Sequence, residues 1–496
     1  MFFALLQTPS DVLDTLNRAL PVTAPPVGSA ARIESVTPLI AEPELHEVGR
    51  LAIFEGYIGV LVVAFLISLV ATPLMRRMAV RHGVIDRPSE TRKVHRMPIA
   101  YLGGVAVYLG ILAGVLFSYL AQRFPGLISW HTITNSAHLD DFGSPIGVPI
   151  SILLGLTVIV LVGVIDDIAH ISPRVKVGGQ LIAAAALAID NVGVKLAQGF
   201  MLPIARMLGV PITTLTGNYE TLMVSIPLPI PIAGIDHIPI DFIYWIGTAI
   251  IGISVLGLCN ASNLIDGLDG LLTGTTAIAA IGLLVVSLGL ALVDDGPRDA
   301  QRIVLCLALL GACLGFLPHN FNPATIFLGD AGSLMMGFCT CAIILTLGDT
   351  GKTFLVLAGV IIYAVPIIDT SLAIVRRKME GKSISSADDQ HLHHMLKRAL
   401  GVKGAVLALY AIAASFAALG AGITLLRARF IYVLALFVAS FIGVTAIKVA
   451  RKKSIEAQAA AYDSKASGSG PLPPATAITG EPAAPITSPA PTPGIK

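Results

Sequence analysis

The chain has 496 residues, 55% of them hydrophobic and only 13% charged, and its mean hydropathy is +0.81. Soluble domains carry about 25% charged residues, so this composition excludes a water-soluble globular protein and makes lipid the solvent for most of the chain. The formal net charge of +2 carries no nucleic-acid signal, because the basic residues are gathered into blocks.

In chain order, residues 1 to about 50 contain several prolines, are mildly acidic and hold an amphipathic stretch from Asp11 to Leu20. They predict an extracytoplasmic arm lying on the membrane surface. The apolar run from Phe2 to Leu6 is too short, and too poor in basic flanks, for a cleaved signal peptide.

A membrane span needs roughly 20 apolar residues, and eleven runs qualify or come close. They lie near 52 to 75, 98 to 121, 147 to 165, 176 to 192, 241 to 258, 271 to 293, 302 to 318, 331 to 348, 353 to 375, 402 to 425 and 430 to 448. The fold class expected is an all-α polytopic membrane protein, with residues 51–453 as one transmembrane domain. Between the fourth and fifth runs, Val194 to Ile240 forms a longer loop whose Pro and Ile alternation suggests short strands or a hairpin. Residues 454–496 become rich in Pro, Ala, Ser, Thr and Gly and predict a disordered tail. All five cysteines sit within or at the end of apolar runs without ligand spacing and read as small buried hydrophobes.

Lys and Arg concentrate between the first two runs (Arg76, Arg77, Arg81, Arg87, Arg92, Lys93, Arg96) and after the ninth (Arg376, Arg377, Lys378, Lys382, Lys397, Arg398). The positive-inside rule places both blocks in the cytoplasm. Alternation then sets the N-terminus outside and the C-terminus inside, where Arg451, Lys452 and Lys453 agree.

On that topology the polar clusters share one side. Asp166 and Asp167 close the third run in GVIDD; Asn260, Asn263, Asp266 and Asp269 follow the fifth in NASNLIDGLDG; Asp330 precedes the eighth in FLGDAGS; His391, His393 and His394 follow the ninth in DDQHLHH. Each cluster alone has a plainer explanation. Paired carboxylates at span ends reach headgroup water, Asp330 suits a helix N-cap, the glycines break a helix, and histidines in a basic loop make a solvated surface. Acids near a membrane are costly and tend to be functional, and their shared side favours one site. Five carboxylates (Asp166, Asp167, Asp266, Asp269, Asp330) are hard oxygen donors suited to Mg²⁺ beside substrate phosphates, with Mn²⁺ the alternative ion. Lys93, His95 and the histidine loop add cations and donors for an anionic substrate. Neither a Walker-type phosphate loop nor a dinucleotide fingerprint in strand-helix context is present. A transporter would instead place polar residues near mid-span, in two inverted halves.

The ordered set DRP, RKVHRMP, YLGG, GVIDD, NASNLIDGLDGL, FLGDAGS and HLHH resembles the polyprenyl-phosphate N-acetylhexosamine-1-phosphate transferase family, from about Leu51 to Lys453. HLHH is similar to the undecaprenyl-phosphate GlcNAc-1-phosphate transferase branch more than to the phospho-MurNAc-pentapeptide branch. The resemblance implies a bacterial inner-membrane enzyme with a cytoplasm-facing site. It would transfer HexNAc-1-phosphate from a UDP-sugar to undecaprenyl phosphate, releasing UMP, for cell-envelope polysaccharide synthesis. Carried onto this sequence, it implies Asp330 and Asp266 as Mg²⁺ ligands, Asp166 orienting the attacking phosphate with Asp167 in support, and Asp269 among the catalytic acids. It further implies Lys93 and His95 at phosphate, Asn263 and Asp266 in the nucleotide pocket, and His391, His393 and His394 on the UDP-sugar. A homodimer is compatible with the resemblance. Where the branch usually shows Ser-Pro-Phe and Asp-Arg ahead of HLHH, this chain has Ser383, Ile384, Ser385 and Asp388, Asp389, so a bidentate Arg clamp for phosphate is replaced by an acid.

Overall fold

A computed structural model of the chain describes residues 52–86, 98–121, 147–215, 219–232, 235–292, 298–350, 352–379, 381 and 391–426, with isolated positions at 455 and 459. The chain divides into two units, 1–48 and 49–496, and the architecture below belongs to the second. The N-terminal arm, the span at 430 to 448 and nearly all of the tail lie outside the described residues.

The fold is helical. Its elements are α1 (Ala52–His82), β1 (Ile85–Asp86), β2 (Ile99–Ala100), α2 (Gly103–Ala121), α3 (Ile150–Ala169), α4 (Pro173–Ile189), α5 (Leu196–Met207), β3 (Thr213–Leu215), β4 (Tyr219–Thr221), β5 (Met223–Ile232), β6 (Ile235–Asp241), α6 (Phe242–Ile265), α7 (Leu271–Ala291), α8 (Asp299–Asn320), α9 (Gly329–Thr346), α10 (Thr353–Ile362), α11 (Ala364–Met379) and α12 (Leu392–Leu426). Among the described residues, eight helices are long and apolar enough to cross a membrane. Helices α10 and α11 meet the same test only together, as a pair bent by 81°; the break falls at Tyr363, and Pro366 sits in the first turn of α11, where its missing N–H is tolerated. The fourth expected run corresponds to α4, whose 17 residues lie at the short end of the range for a crossing and run from Lys176 at one pole to Asp190, which accepts from Arg298, at the other. The loop from 194 to 240 does fold into strands: β5 and β6 form an antiparallel hairpin with Met223 opposite Asp241 and Ile226 opposite Ile238.

Helix α9 is the axis of the bundle, buried from Ala331 to Thr346 and packed by α2, α3 and α6. Helix α3 shows how the neighbours are built. Ile152, Leu156, Ile159, Gly163 and Asp166 share its buried face, while Ile150, Leu154, Leu161, Ile165 and Ile168 are exposed on the other, at the spacing of helical faces. Exposed aliphatics are ordinary in lipid, where helix association depends on close packing rather than on escape from water. Close packing is extreme at the start of α9. A Cβ on Gly104 would lie 2.1 Å from the Gly332 nitrogen, and one on Gly163 would lie 2.3 Å from the Ala331 Cα, so α2 and α3 touch α9 backbone to backbone. The segment entering α2 is stitched to the segment entering α9: Gly103 and Gly104 donate to the carbonyls of Phe327 and Leu328, and the Phe327 N–H donates to Ala100.

The opposite end of the bundle is closed by charge pairs. Arg302, fully buried, is paired with Asp299 and donates to the Thr346 carbonyl, and Arg298 is paired with Asp349, which also accepts the Gly193 N–H.

Candidate active site

Five elements end at one pole of the bundle and enclose a cavity of about 870 Å³. Its wall takes Asp166 and Asp167 from the end of α3, Asn263 and Asp266 from the end of α6, and Asp269 from the following loop. The end of α8 adds Asn320 and Asn322, the start of α9 adds Asp330, and the start of α12 adds His394 and Lys397. Three acid-bearing segments and the histidine segment read from the sequence thus meet in one place.

Helix geometry explains the meeting. Because α2 and α3 approach the α9 backbone so closely, the first turn of α9 abuts the last turn of α3. Asp167 exploits this by accepting the N–H groups of Asp330 and Ala331, at 2.7 and 3.1 Å. A carboxylate at a helix N-terminus satisfies donors that have no partner inside the helix and complements the helix dipole. The cap of α9 is therefore supplied by another helix, and Asp330, for which a cap was the plainer alternative, is left to face the cavity.

Asp330 and Asp166 share one cation. The Lys176 Nζ, on α4, lies 2.5 Å from Asp166 Oδ2 and 2.6 Å from Asp330 Oδ2. The second Asp166 oxygen accepts the Ile171 N–H at 2.9 Å. The second Asp330 oxygen accepts from Asn263 Nδ2 at 2.6 Å, and that amide also reaches Ser333 Oγ at 2.9 Å. Asp269 accepts from Asn322 Nδ2 and the Ala324 N–H, at 2.9 and 3.0 Å, so it fastens the loop after α6 to the connection between α8 and α9. Asp266 caps the end of α6. Removal from bulk water, aggravated by the nearby carboxylates of Asp330, Asp167 and Asp269, pushes its carboxyl up to about 8. Six carboxyl groups line this cavity, Asp86, Asp166, Asp167, Asp266, Asp269 and Asp330, and a divalent cation held by their oxygens would favour the ionised form of Asp266.

The histidine loop divides. His394 lines the cavity, whereas His391 and His393 are buried and directed at Asp369 on α11. Lys93 and His95, expected at phosphate, lie outside the described residues, as do Ser383, Ile384, Ser385, Asp388 and Asp389.

Similarity to known proteins agrees with this geometry. The model of the family described as glycosyl transferase family 4 matches residues 149–348. A probable undecaprenyl-phosphate N-acetylglucosaminyl 1-phosphate transferase of Bacillus subtilis is 32% identical over 360 residues, covering 71% of this chain and 82% of the relative. The chain belongs to the polyprenyl-phosphate N-acetylhexosamine-1-phosphate transferase family. Within that family, a decaprenyl-phosphate N-acetylglucosaminephosphotransferase of Mycolicibacterium smegmatis is 33% identical over 350 residues, 67% of this chain and 73% of the relative. A phospho-N-acetylmuramoyl-pentapeptide-transferase of Bacillus cytotoxicus is 26% identical over 352 residues, 69% and 90% respectively. The matched region 149–348 spans every cavity acid from Asp166 to Asp330.

Sequence reasoning missed Lys176 and Asp369. Lys176 lies with Arg174 in SPRVKVGGQ at the start of the fourth run, and Asp369 lies inside an apolar run; the signal was the cost of placing such charges in or beside apolar segments without a partner.

Proposed function

We propose that this protein transfers N-acetylglucosamine-1-phosphate from UDP-GlcNAc to undecaprenyl phosphate at the cytoplasmic face of a bacterial inner membrane, in cell-envelope polysaccharide synthesis. The observation that carries the reading is the shared Lys176 bridge between Asp166 and Asp330, set in a cavity at the pole that also carries Arg376 and Arg377 at the end of α11. Over alignments of 350 to 360 residues, relatives named for GlcNAc are 32 and 33% identical and one named for a phospho-MurNAc-pentapeptide is 26% identical, although two others with that name reach 40% over stretches of only 125 and 119 residues. That ordering supports the donor.

In the reaction, an oxygen of the lipid phosphate attacks the β-phosphorus of the UDP-sugar. The bond from that phosphorus to the bridging oxygen breaks, and UMP leaves with the electron pair. A phosphate monoester is already mostly dianionic near neutrality, its second pKa being about 6, so Asp166 is needed to orient and to manage charge rather than to remove a proton. Lys176 holds Asp166 and Asp330 together and offsets their charge where a dianion must approach. Asn263 fixes the rotamer of Asp330, and Asp167 fixes the helix start that carries it. His394 and Lys397, which α12 brings to the cavity, suit the diphosphate and sugar of the donor. Asp330 and Asp266 fit a divalent cation, Mg²⁺ first and Mn²⁺ second; when bound it neutralises phosphate oxygens as charge moves to the leaving group.

Purified full-length protein supplied with undecaprenyl phosphate, Mg²⁺ and a panel of UDP-sugars tests the reading. UMP release and a lipid-linked product with UDP-GlcNAc are expected, both abolished by EDTA and restored by Mg²⁺. Silence with every UDP-HexNAc overturns the function; turnover with a different one revises the donor.

A further inference from the structure

Of the three imidazoles in HLHH, only His394 lines the cavity. His391 and His393 are 5% and 2% exposed, and each places Nδ1 3.1 Å from the same atom, Asp369 Oδ2. The other carboxylate oxygen, Oδ1, accepts the Leu392 N–H at 2.7 Å. One side chain, 1% exposed, therefore gathers three donors from three consecutive residues.

A capping role for α12 would need only the Leu392 N–H. The two imidazole contacts go further, because an ionised carboxylate only accepts hydrogen bonds, so each ring nitrogen that meets it must carry the proton. Both rings are thereby held as Nδ1–H, with Nε2 directed away from Asp369. For His393 the consequence is visible: a Cβ on Gly267 would lie 2.6 Å from its Nε2, so the ring is wedged against the loop between Asp266 and Asp269. The His394 ring follows, its centroid 4.3 Å from that of His393.

We propose that Asp369 is a positioning residue of this site: it fixes the tautomer and orientation of His391 and His393, and through His393 sets the Gly267 turn and the placement of His394 at the cavity. The inference deepens the transferase reading and rests on it. The three side chains also bring ligand atoms within 4.8 Å of one another, a spacing a metal ion would accept. Each Nδ1, however, already has the carboxylate as its hydrogen-bond partner without one.

The test uses full-length protein with ring-¹⁵N histidine, Asp369→Asn, Asp369→Glu, His394→Ala, and the Asp369→Asn/His394→Ala double variant. In the wild type, ¹⁵N shifts assigned with His391→Gln and His393→Gln are expected to show protonated Nδ1 at both positions; the Nε2–H form at both overturns the proposal. Asp369→Asn is expected to raise KM for UDP-GlcNAc roughly tenfold, the scale on which outer partners of functional histidines act, with KM for undecaprenyl phosphate unchanged. Asp369→Glu should recover part of that loss. The double variant should fall no more than about twofold below the worse single variant, because contacts in one chain of interactions do not add. Losses that multiply, equal effects on both KM values, or a stoichiometric transition metal that leaves with Asp369→Asn each overturn it. Absence of turnover in the wild type defeats the transferase reading instead, and the ¹⁵N measurement still decides the positioning.

Discussion

Asp166 and Asp330 share one ammonium, and the consequences of removing each partner differ. Asp330→Asn and Asp166→Asn keep shape and most hydrogen bonds while removing a charge, so each is expected to abolish UMP release with the protein still folded in membranes; near-normal turnover in both would defeat the assignment. Lys176→Met removes the cation that one oxygen of each carboxylate shares. Its expected effect is a loss of turnover of about 100-fold, the scale of one preorganised electrostatic group, read with saturating substrates. The Lys176 and Asp330 side chains are 20% and 31% exposed, so water screens the pair and the unfolding temperature should move little. Gly267→Ala probes the loop, since its Cβ must displace the buried His393 ring. A cost of about 1–3 kcal/mol in denaturant unfolding is expected from overpacking, with turnover reduced. At this scale the acids were legible because carboxylates at span ends are rare and costly. The two roles the sequence concealed are those of Asp167, which caps a helix far away in sequence, and of His391 and His393, which turn away from the cavity.

At the scale of elements, the site depends on how closely α2 and α3 approach the start of α9. Gly104→Ala would put a Cβ 2.1 Å from a backbone nitrogen, a clash that no rotamer relieves, so α2 or α9 must move. Destabilisation of about 1–3 kcal/mol or more is expected, together with loss of turnover as Asp330 shifts from Asp167. Gly178→Ala, in α4, meets nothing within 4 Å and is the matched control. There, alanine should be neutral or stabilise by about 0.5–1 kcal/mol, and a loss as large as that of Gly104→Ala would sink the packing argument. Hydropathy revealed the spans, because lipid imposes their length. It did not reveal the break at Tyr363, since the apolar run continues through it and only Pro366 marks the place. Nor did it reveal the junction of Ala100 to Gly104 with Ile326 to Leu328, which is built from backbone groups and so leaves little trace in side-chain pattern.

For the whole molecule, the legible quantity is sidedness. Alternating spans carry the acids, the basic clusters and the histidine loop to one pole, and the structure joins the ends of α3, α6 and α8 with the starts of α9 and α12 around one cavity. The sequence could state that these segments share a side but not that they touch, because contact depends on helix order within the bundle. Which side that pole faces decides whether a water-soluble nucleotide sugar can enter from the cytoplasm, and cysteine labelling can determine it. The five native cysteines are buried, so a membrane-impermeant maleimide should find a quiet background. Thr325 is exposed and lines the cavity, while Thr214 is exposed in β3, beyond the end of α4, which runs away from the cavity pole. Thr325→Cys should label in inverted vesicles and stay unlabelled in intact spheroplasts, and Thr214→Cys should do the reverse. The opposite pattern would turn the cavity to the outside, strand Arg376 and Arg377 against the positive-inside rule, and cut Asp330 and Lys176 off from any cytosolic donor.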